Sequence, residues 1–276
     1  MALKTDVKTY WEAKVCGTTY GRNRADESVD LERMAETRYR LEPYIPPFAD
    51  FPSARGKRML EIGVGGGVDF SNWVKNGADA TGVDLTEAGI KMARARLESM
   101  PRAVGKAGGK YRLLVADGEN LAFPDATFDF VYSWGVLHHS PDTAKAFSEV
   151  SRVLKPGGTF KGMVYHARSM VNYMLWLRWG LMSGKLISVR RAVFENLESP
   201  GTKVYSVDEI RTLLATVGFK DIHALSHLSF GDLLMNKPST RYQSPLYRIV
   251  WKLYPRWFIR LLGHRFGGNL MFVATR

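Results

Sequence analysis

Two carboxylates bracket a cluster of glycines near the end of the first quarter of the chain. Glu61 precedes Gly63, Gly65 and Gly67 in the run Met59-Leu60-Glu61-Ile62-Gly63-Val64-Gly65-Gly66-Gly67-Val68-Asp69. A second apolar run, Ala80-Thr81-Gly82-Val83, ends in Asp84, about 20 residues after the glycines. The order strand, glycine turn, helix, strand, carboxylate suits an adenosine-type cofactor. Glycines let the backbone approach the ligand, and the acid accepts hydrogen bonds from ribose hydroxyls. A dinucleotide site spaces its glycines as G-x-G-x-x-G so that a pyrophosphate meets a helix N-terminus. From Gly63 this chain reads G-V-G-G-G-V, with the third glycine early. Glu61 beside the turn would repel a pyrophosphate and suits a ligand carrying an ammonium and a sulfonium.

Four further segments follow in order. Tyr111 to Val115 runs into Ala116-Asp117-Gly118, and Leu121-Ala122-Phe123-Pro124-Asp125-Ala126-Thr127-Phe128-Asp129-Phe130-Val131 leads to Tyr132-Ser133-Trp134. Val136-Leu137-His138-His139 and Leu154-Lys155-Pro156-Gly157-Gly158-Thr159-Phe160 complete the set. Together with the glycine run they resemble the class I S-adenosylmethionine-dependent methyltransferases, whose first motif is E-x-G-x-G-x-G. The subgroup they most resemble contains the ubiquinone and menaquinone C-methyltransferases and many small-molecule methyltransferases. The likeness covers residues 59–160 well and the remainder poorly.

The resemblance implies bound S-adenosylmethionine, leaving as S-adenosylhomocysteine. It places Glu61, Gly63, Gly65 and Gly67 at the cofactor turn and Asp84 and Leu85 at the ribose. Asp117 meets the adenine amino group, with Gly118 beside it and Glu119 as a competing neighbour. Ser133 and Trp134 border the methionine portion, and His138 follows. The opening Trp11-Glu12 to Cys16-Gly17-Thr18-Thr19-Tyr20 is similar to a segment that folds over the cofactor in many such enzymes, so Tyr20 is expected to close over the methyl group. His139 and His166 are the candidate bases and acceptor-positioning groups. For each, the plain alternative is a histidine hydrogen-bonded to backbone. Trp176 and Trp179 share one helix face, which fits a hydrophobic acceptor chamber or an ordinary core helix. Methyl transfer from a sulfonium needs mainly alignment and exclusion of water. There is no cluster of metal-ligand spacing, so no metal is expected.

Those groups must be positioned by a chain of 276 residues, 45% of them apolar, the composition of an ordinary globular protein. One cysteine, Cys16, excludes an intrachain disulfide framework and fits a reducing compartment. No apolar core follows Met1-Ala2-Leu3-Lys4, and no run approaches the roughly 20 apolar residues of a membrane span. A cytoplasmic protein, or one peripheral to a membrane, is expected. Charge is uneven. Residues 1–150 hold 20 Lys and Arg against 21 Asp and Glu, whereas residues 151–276 hold 19 against 6. Such asymmetry points to an anionic contact: membrane surface, nucleic acid or an acidic small molecule.

Strands are expected near 58–62, 79–83, 111–115, 128–133 and 158–164, and helices near 66–76, 86–99 and 142–153. This alternation predicts an α/β fold: a doubly wound, Rossmann-like, seven-stranded and mostly parallel sheet with an antiparallel last strand and a helical cap. Four regions follow. Residues 1–50 form an N-terminal helical cap segment, ending in a connector over 43–52, and residues 51–165 form the S-adenosylmethionine-binding core. Residues 166–205 are a cap insertion, and 206–276 the C-terminal part of the core. Ser206 and Glu209 open a helix as a capping box, and Gly218 stops it. Strands near 222–225 and 269–275 enclose an insertion, 228–268. Over 237–268, Lys237, Arg241, Arg248, Lys252, Arg256, Arg260 and Arg265 alternate with Tyr242, Tyr247, Trp251, Tyr254, Trp257 and Phe258, without an acid. It reads as one or two short helices broken near Pro255. A membrane or lipophilic partner, a nucleic acid, and a solvated charged face over packed aromatics all fit, nucleic acid least well.

The expected function is methyl transfer to an oxygen, carbon or nitrogen of a small lipophilic or aromatic acceptor, such as a quinone precursor, lipid or natural product. Ser133-Trp134-Gly135-Val136 resembles neither the Asn/Asp-Pro-Pro-Tyr/Phe motif of amino-methylating enzymes nor the Pro-Cys of cytosine C5 enzymes. The alternatives are an RNA or DNA methyltransferase using the basic half, a cofactor-binding relative with other chemistry, and an NAD(P) enzyme. Oligomeric state is not legible.

Overall fold

The computed structural model describes residues 2–23, 28–100, 109–235 and 251–276. Among these, four helices precede the sheet: α1 (Ala2–Ala13), α2 (Thr18–Gly21), α3 (Leu31–Leu41) and α4 (Ile45–Ala49). The stretch expected as a connector is therefore α4 followed by a 3-10 turn over Phe51–Ala54. Its prolines sit in the first turn, where a missing N–H costs nothing. They start this helix, whereas elsewhere they would break one.

The alternating region follows as β1 (Arg58–Ile62), α5 (Val68–Lys75), β2 (Asp79–Asp84), α6 (Glu87–Glu98), β3 (Tyr111–Val115), β4 (Phe128–Trp134), α7 (Thr143–Val153) and β5 (Leu154–Tyr165). Thr86 caps α6 by accepting from the Gly89 N–H, and Asp142 caps α7 by accepting from the Lys145 N–H. The last part contributes α8 (Met170–Trp179), α9 (Val189–Asn196), α10 (Val207–Thr216), β6 (Lys220–His227), α11 (Arg256–Leu262) and β7 (Asn269–Thr275). The Ser206–Glu209 capping box is present at α10, and Pro255 stands immediately before α11.

The seven strands form one sheet in the order β3-β2-β1-β4-β5-β7-β6. Strands β1 to β5 pair in parallel, and β7 is antiparallel to both β5 and β6. The order reverses between β1 and β4, the point at which open α/β sheets leave a crevice beyond their carboxyl ends. Side chains alternate across the sheet, so neighbours in sequence enter different cores. Leu60 and Val131 join Phe147, Phe160, Leu214 and Phe272 on one face. Met59, Phe130 and Tyr132 join Phe70 and Trp73 on the other. Burial on both faces explains why these strands read as continuous apolar runs.

Helices α8 and α9 pack over a separate small cluster of Leu175, Val193 and Val204. The connection from β6 to β7, residues 228–268, is held by the buried Asp232 carboxylate. It accepts from the Ser169 hydroxyl, the N–H groups of Met170, Ser229 and Gly268, and the Ser229 hydroxyl. Lys237, Arg241, Tyr242, Tyr247 and Arg248 lie outside the described residues. No described helix is long and apolar enough to cross a membrane.

Candidate active site

The carboxyl ends of β1 to β4 surround a cavity of about 160 Å³, roofed by α1. Its floor is the glycine turn. Gly63 has φ 82°, and a Cβ there would stand 2.2 Å from Val136 Cγ2, so both the backbone conformation and the space demand glycine. The Gly65 N–H donates to Asp84 Oδ2 at 2.9 Å, while Asp84 Oδ1 accepts from the Thr86 N–H and hydroxyl. Asp84 thus fixes the turn to the end of β2 and keeps an acceptor site on Oδ2, as a ribose hydroxyl requires.

Glu61 also lines this cavity, at 4% exposure. Burial first, and then the charge of Asp69, push its carboxyl well above the usual range. Asp69 itself is paired with Arg38 at 2.7 Å and accepts from the Tyr39 and Tyr132 hydroxyls. Glu61 Oε2 is buried without a hydrogen-bond partner among the described residues. An orphaned buried acceptor of this kind fits a cationic ligand group such as an ammonium.

At the other end, Lys4 from α1 reaches Asp117 Oδ2 at 2.6 Å and Glu119 Oε2 at 2.5 Å. Burial raises the Glu119 carboxyl, but Lys4, the Ser140 hydroxyl and the Asp142 N–H together hold it below its ordinary range. Glu12, one residue from the end of α1, accepts from the N–H groups of Glu87 and Ala88 at the start of α6. These first-turn donors have no partner within their own helix. Helix α1 is therefore fastened across the cavity at both ends.

A second cavity of about 340 Å³ adjoins the first. Trp11, Cys16, Tyr20, Arg38, Trp134 and Gly135 belong to the walls of both. Beyond them the second cavity is walled by Tyr10, Tyr165, Glu198, Phe230 and Asn269. His139 stands by the junction, lining the first cavity with Trp11 packed edge-on at 5.2 Å. Its Nδ1 lies 2.9 Å from the Ser199 hydroxyl and 3.1 Å from the Thr202 hydroxyl. The Thr202 hydroxyl already donates to the Ser199 carbonyl, so toward His139 it accepts. With Thr202 accepting, a proton on Nδ1 would serve these hydroxyls and leave the lone pair on Nε2.

Of the residues singled out in the sequence, Glu61, Gly63, Gly65, Asp84, Leu85, Asp117, Gly118, Trp134, Tyr20 and His139 line these cavities. Six others line neither, each for a physical reason. Gly67 brings α5 onto α6: its Cβ would meet Ala93 Cα at 2.8 Å. The Ser133 hydroxyl donates to the Ile62 carbonyl, tying β4 to β1. His138 is fully buried between His139 and Tyr165 with neither ring nitrogen bonded, and burial depresses its imidazole well below the usual range. His166 stands one residue past the end of β5 and lies outside both cavities, with Nδ1 2.9 Å from the Gly267 carbonyl. Burial lowers its imidazole too. The Trp176 indole donates to the Ile187 carbonyl, and Trp179 carries the Arg178 guanidinium at 4.9 Å against the small α8–α9 cluster. Gly67, Ser133, His138, His166, Trp176 and Trp179 thus stand behind the walls of the two cavities and not in them.

Sequence reasoning missed Lys4, Tyr165, Glu198 and Phe230. None belongs to a local pattern. Each reaches the site through long-range packing.

A family model for a methyltransferase domain matches residues 60–161. A demethylmenaquinone methyltransferase of Tropheryma whipplei (strain Twist) is 30% identical over 186 residues, 66% of this chain and 74% of that protein. A ubiquinone biosynthesis O-methyltransferase of Thiobacillus denitrificans is 35% identical over 103 residues, 37% of this chain and 42% of that protein. A phthiotriol/phenolphthiotriol dimycocerosates methyltransferase of Mycobacterium tuberculosis is 38% identical over 109 residues, 38% of this chain and 36% of that protein. Among solved structures, an S-adenosylmethionine-dependent methyltransferase from Mesorhizobium loti shares the fold at TM-score 0.55 and 20% identity, over 90% of this chain and all of that one. The chain belongs to the class I S-adenosylmethionine-dependent methyltransferases. It is an enzyme of methyl transfer, with S-adenosylmethionine as the methyl donor.

Proposed function

We propose that the enzyme holds S-adenosylmethionine in the first cavity and methylates a small aromatic or lipophilic acceptor in the second. The observation that carries this reading is the shared wall. Tyr20, Trp134 and Gly135 border both spaces, so a methyl group at the junction would face an acceptor without exposure to water. In the first cavity Asp84 takes the ribose, Asp117 the adenine edge and Glu61 the ammonium. The residues that meet the acceptor, Tyr10, Tyr165 and Phe230, are mainly aromatic, which suits a ring or a prenyl chain. The segments 1–50 and 166–205, with the 228–268 connection, act as the acceptor-binding cap on the core 51–165. His139, and not His166, takes the acceptor's proton.

Two measurements test this. Titration calorimetry should give micromolar affinity for S-adenosylmethionine and none for NADH. Incubation with methyl-tritiated S-adenosylmethionine and a panel of catechols, hydroquinones and prenylated phenols should give stoichiometric label in an acceptor. Binding of NADH alone, or label in RNA but in no small molecule, would overturn the reading. Cofactor binding with an altered product but no label would mean other chemistry on the same fold.

The described part of the basic segment supports a lipid contact over a nucleic acid. Trp257 and Leu261, one turn apart on α11, are 71% and 75% exposed, and Leu253 is 73% exposed. Lys252 and Arg260 are exposed beside them. Apolar side chains flanked by cations suit an anionic lipid surface, and a lipophilic acceptor would arrive from there. Sedimentation with phosphatidylglycerol vesicles, compared with phosphatidylcholine vesicles, decides it. Equal recovery from both would remove the lipid contact.

A further inference from the structure

The turn between α9 and α10 brings three side chains to one histidine. Ser199 and Thr202 meet Nδ1 of His139, and Glu198 Oε2 stands 3.5 Å from its Nε2. The same Glu198 oxygen accepts from the Tyr165 hydroxyl at 2.8 Å, which fixes its direction. Glu198 has φ 54°, a left-handed conformation that residues with a Cβ seldom adopt. The Lys203 N–H then donates to the His138 carbonyl, fastening the turn to the short helix that carries both histidines. Glu198 faces the second cavity, and the His139 ring lines the first. Nε2 of His139 is buried with no hydrogen-bond partner among the described residues.

We propose that Glu198 is the positioning residue of the base His139, and that the acceptor group is therefore a hydroxyl whose proton passes to His139 Nε2. This rests on the reading of the second cavity given above. As the acceptor O–H bond breaks, its proton goes to Nε2. The oxygen lone pair forms the new O–C bond, and the methyl C–S bond breaks with its electron pair returning to sulfur. Glu198 supplies the negative charge beside the imidazolium formed, with Tyr165 holding the carboxylate in place. Nδ1–H continues to donate to the hydroxyls of the turn, so the ring does not rotate.

The surrounding groups leave the charge change to this pair. Tyr165 is held neutral by burial and by Glu198. Burial keeps His138 neutral. Arg38 pairs with Glu42 and Asp69 on the far wall, and Lys14 is a more distant cation. Burial opposes ionisation of Glu198 itself, yet His139 and the Tyr165 hydroxyl bring its carboxyl below the ordinary range, so it is charged at neutral pH.

The test compares wild-type enzyme with Glu198→Gln and Glu198→Asp. Gln keeps the hydrogen bond from Tyr165 and removes the charge. Unchanged melting temperature and S-adenosylmethionine affinity would establish that each variant folds. With a hydroquinone from the labelled panel, Glu198→Gln should lower kcat at least tenfold with KM for the donor unchanged. The acid limb of its kcat profile should move to lower pH, and Glu198→Asp should recover part of the rate. Without any acceptor, the pH at which the His139 ring nitrogen signals change over should also move down in Glu198→Gln. An unchanged rate and profile in Glu198→Gln would overturn the pairing while leaving methyl transfer standing. Label in a ring carbon or amine in place of a hydroxyl would overturn the acceptor assignment. If no panel member is labelled, the second cavity is not the acceptor site, and an unmoved His139 changeover would overturn the pairing separately.

Discussion

The two cavities share a wall but are built by different means. The first sits on strand ends. Gly63, Asp84, Asp117 and Trp134 follow or close β1, β2, β3 and β4, and the parallel ladders fix their spacing. The second is walled by pieces of α1 and the loop after it, the α9–α10 turn and the 228–268 connection, joined by side-chain bonds such as those of Asp232 and Glu198. The first cavity is thus shaped by the sheet and α1, while the second combines strand residues (Trp134, Tyr165, Asn269) with segments outside the sheet. Rigid scaffold and variable loops divide binding this way in many α/β enzymes. The matches fit that division, since the family model spans residues 60–161 and stops before α8 and α9.

The comparison breaks first at its largest effects. His139→Ala should lower kcat by about 10²–10⁴-fold, the range for loss of a general base, with cofactor affinity unchanged by calorimetry. Asp84→Ala should do the reverse. It removes a charged acceptor from the ribose and the brace from Gly65, two hydrogen bonds of roughly 1.5–3 kcal/mol each, so cofactor affinity falls by about 100-fold or more. If Asp84→Ala binds as wild type, the strand ends do not define the donor site. A smaller effect is expected from Phe230→Ala on the acceptor side: KM for the acceptor rises roughly tenfold, consistent with about 1–3 kcal/mol for lost apolar contact, at constant cofactor affinity. A loss of cofactor affinity in that variant would mean the two cavities are one site.

Legibility in the sequence followed the same division. The strands of the core were read to within a few residues because burial on both faces leaves apolar runs bounded by glycine turns. β7 matched its expected range, and β5 began four residues early because Leu154 pairs with Phe128, with the Lys-Pro-Gly-Gly stretch forming an irregularity before the ladder resumes at Thr159. Strand-end acids could be found because they follow a local motif. His166 could not be separated from Tyr165 without knowing which of two adjacent positions lines the cavity. Glu198 and Lys4 carried no signal at all. Lys4 meets Asp117 across 113 residues, and Ser199 meets His139 across 60. Such contacts are set by how helices close over the sheet, which no short-range periodicity encodes.

Lys4 offers the smallest and most diagnostic perturbation, because it joins a segment outside the sheet to acids at the strand ends. Its bridge to Glu119 is partly exposed, so it contributes about 1 kcal/mol at most. Lys4→Ala should free one end of α1 and quicken cofactor dissociation by roughly five-fold, which corresponds to that energy. The pH dependence has a definite sign. Glu119 titrates below its ordinary 4.5 in the folded protein, so its contribution is complete above that pH and is lost as pH falls below it. Lys4 titrates above its ordinary 10.5, so its contribution is complete below that pH and is lost on rising through the raised value. The melting temperatures of wild type and Lys4→Ala should therefore differ between these limits and converge as the pH drops below 4.5. Melting curves from pH 3 to 8 and stopped-flow displacement of the cofactor measure the two effects. If dissociation is unchanged while the melting difference persists, α1 stabilises the fold without closing the donor cavity. The first cavity would then owe its retention of the cofactor to the strand ends alone.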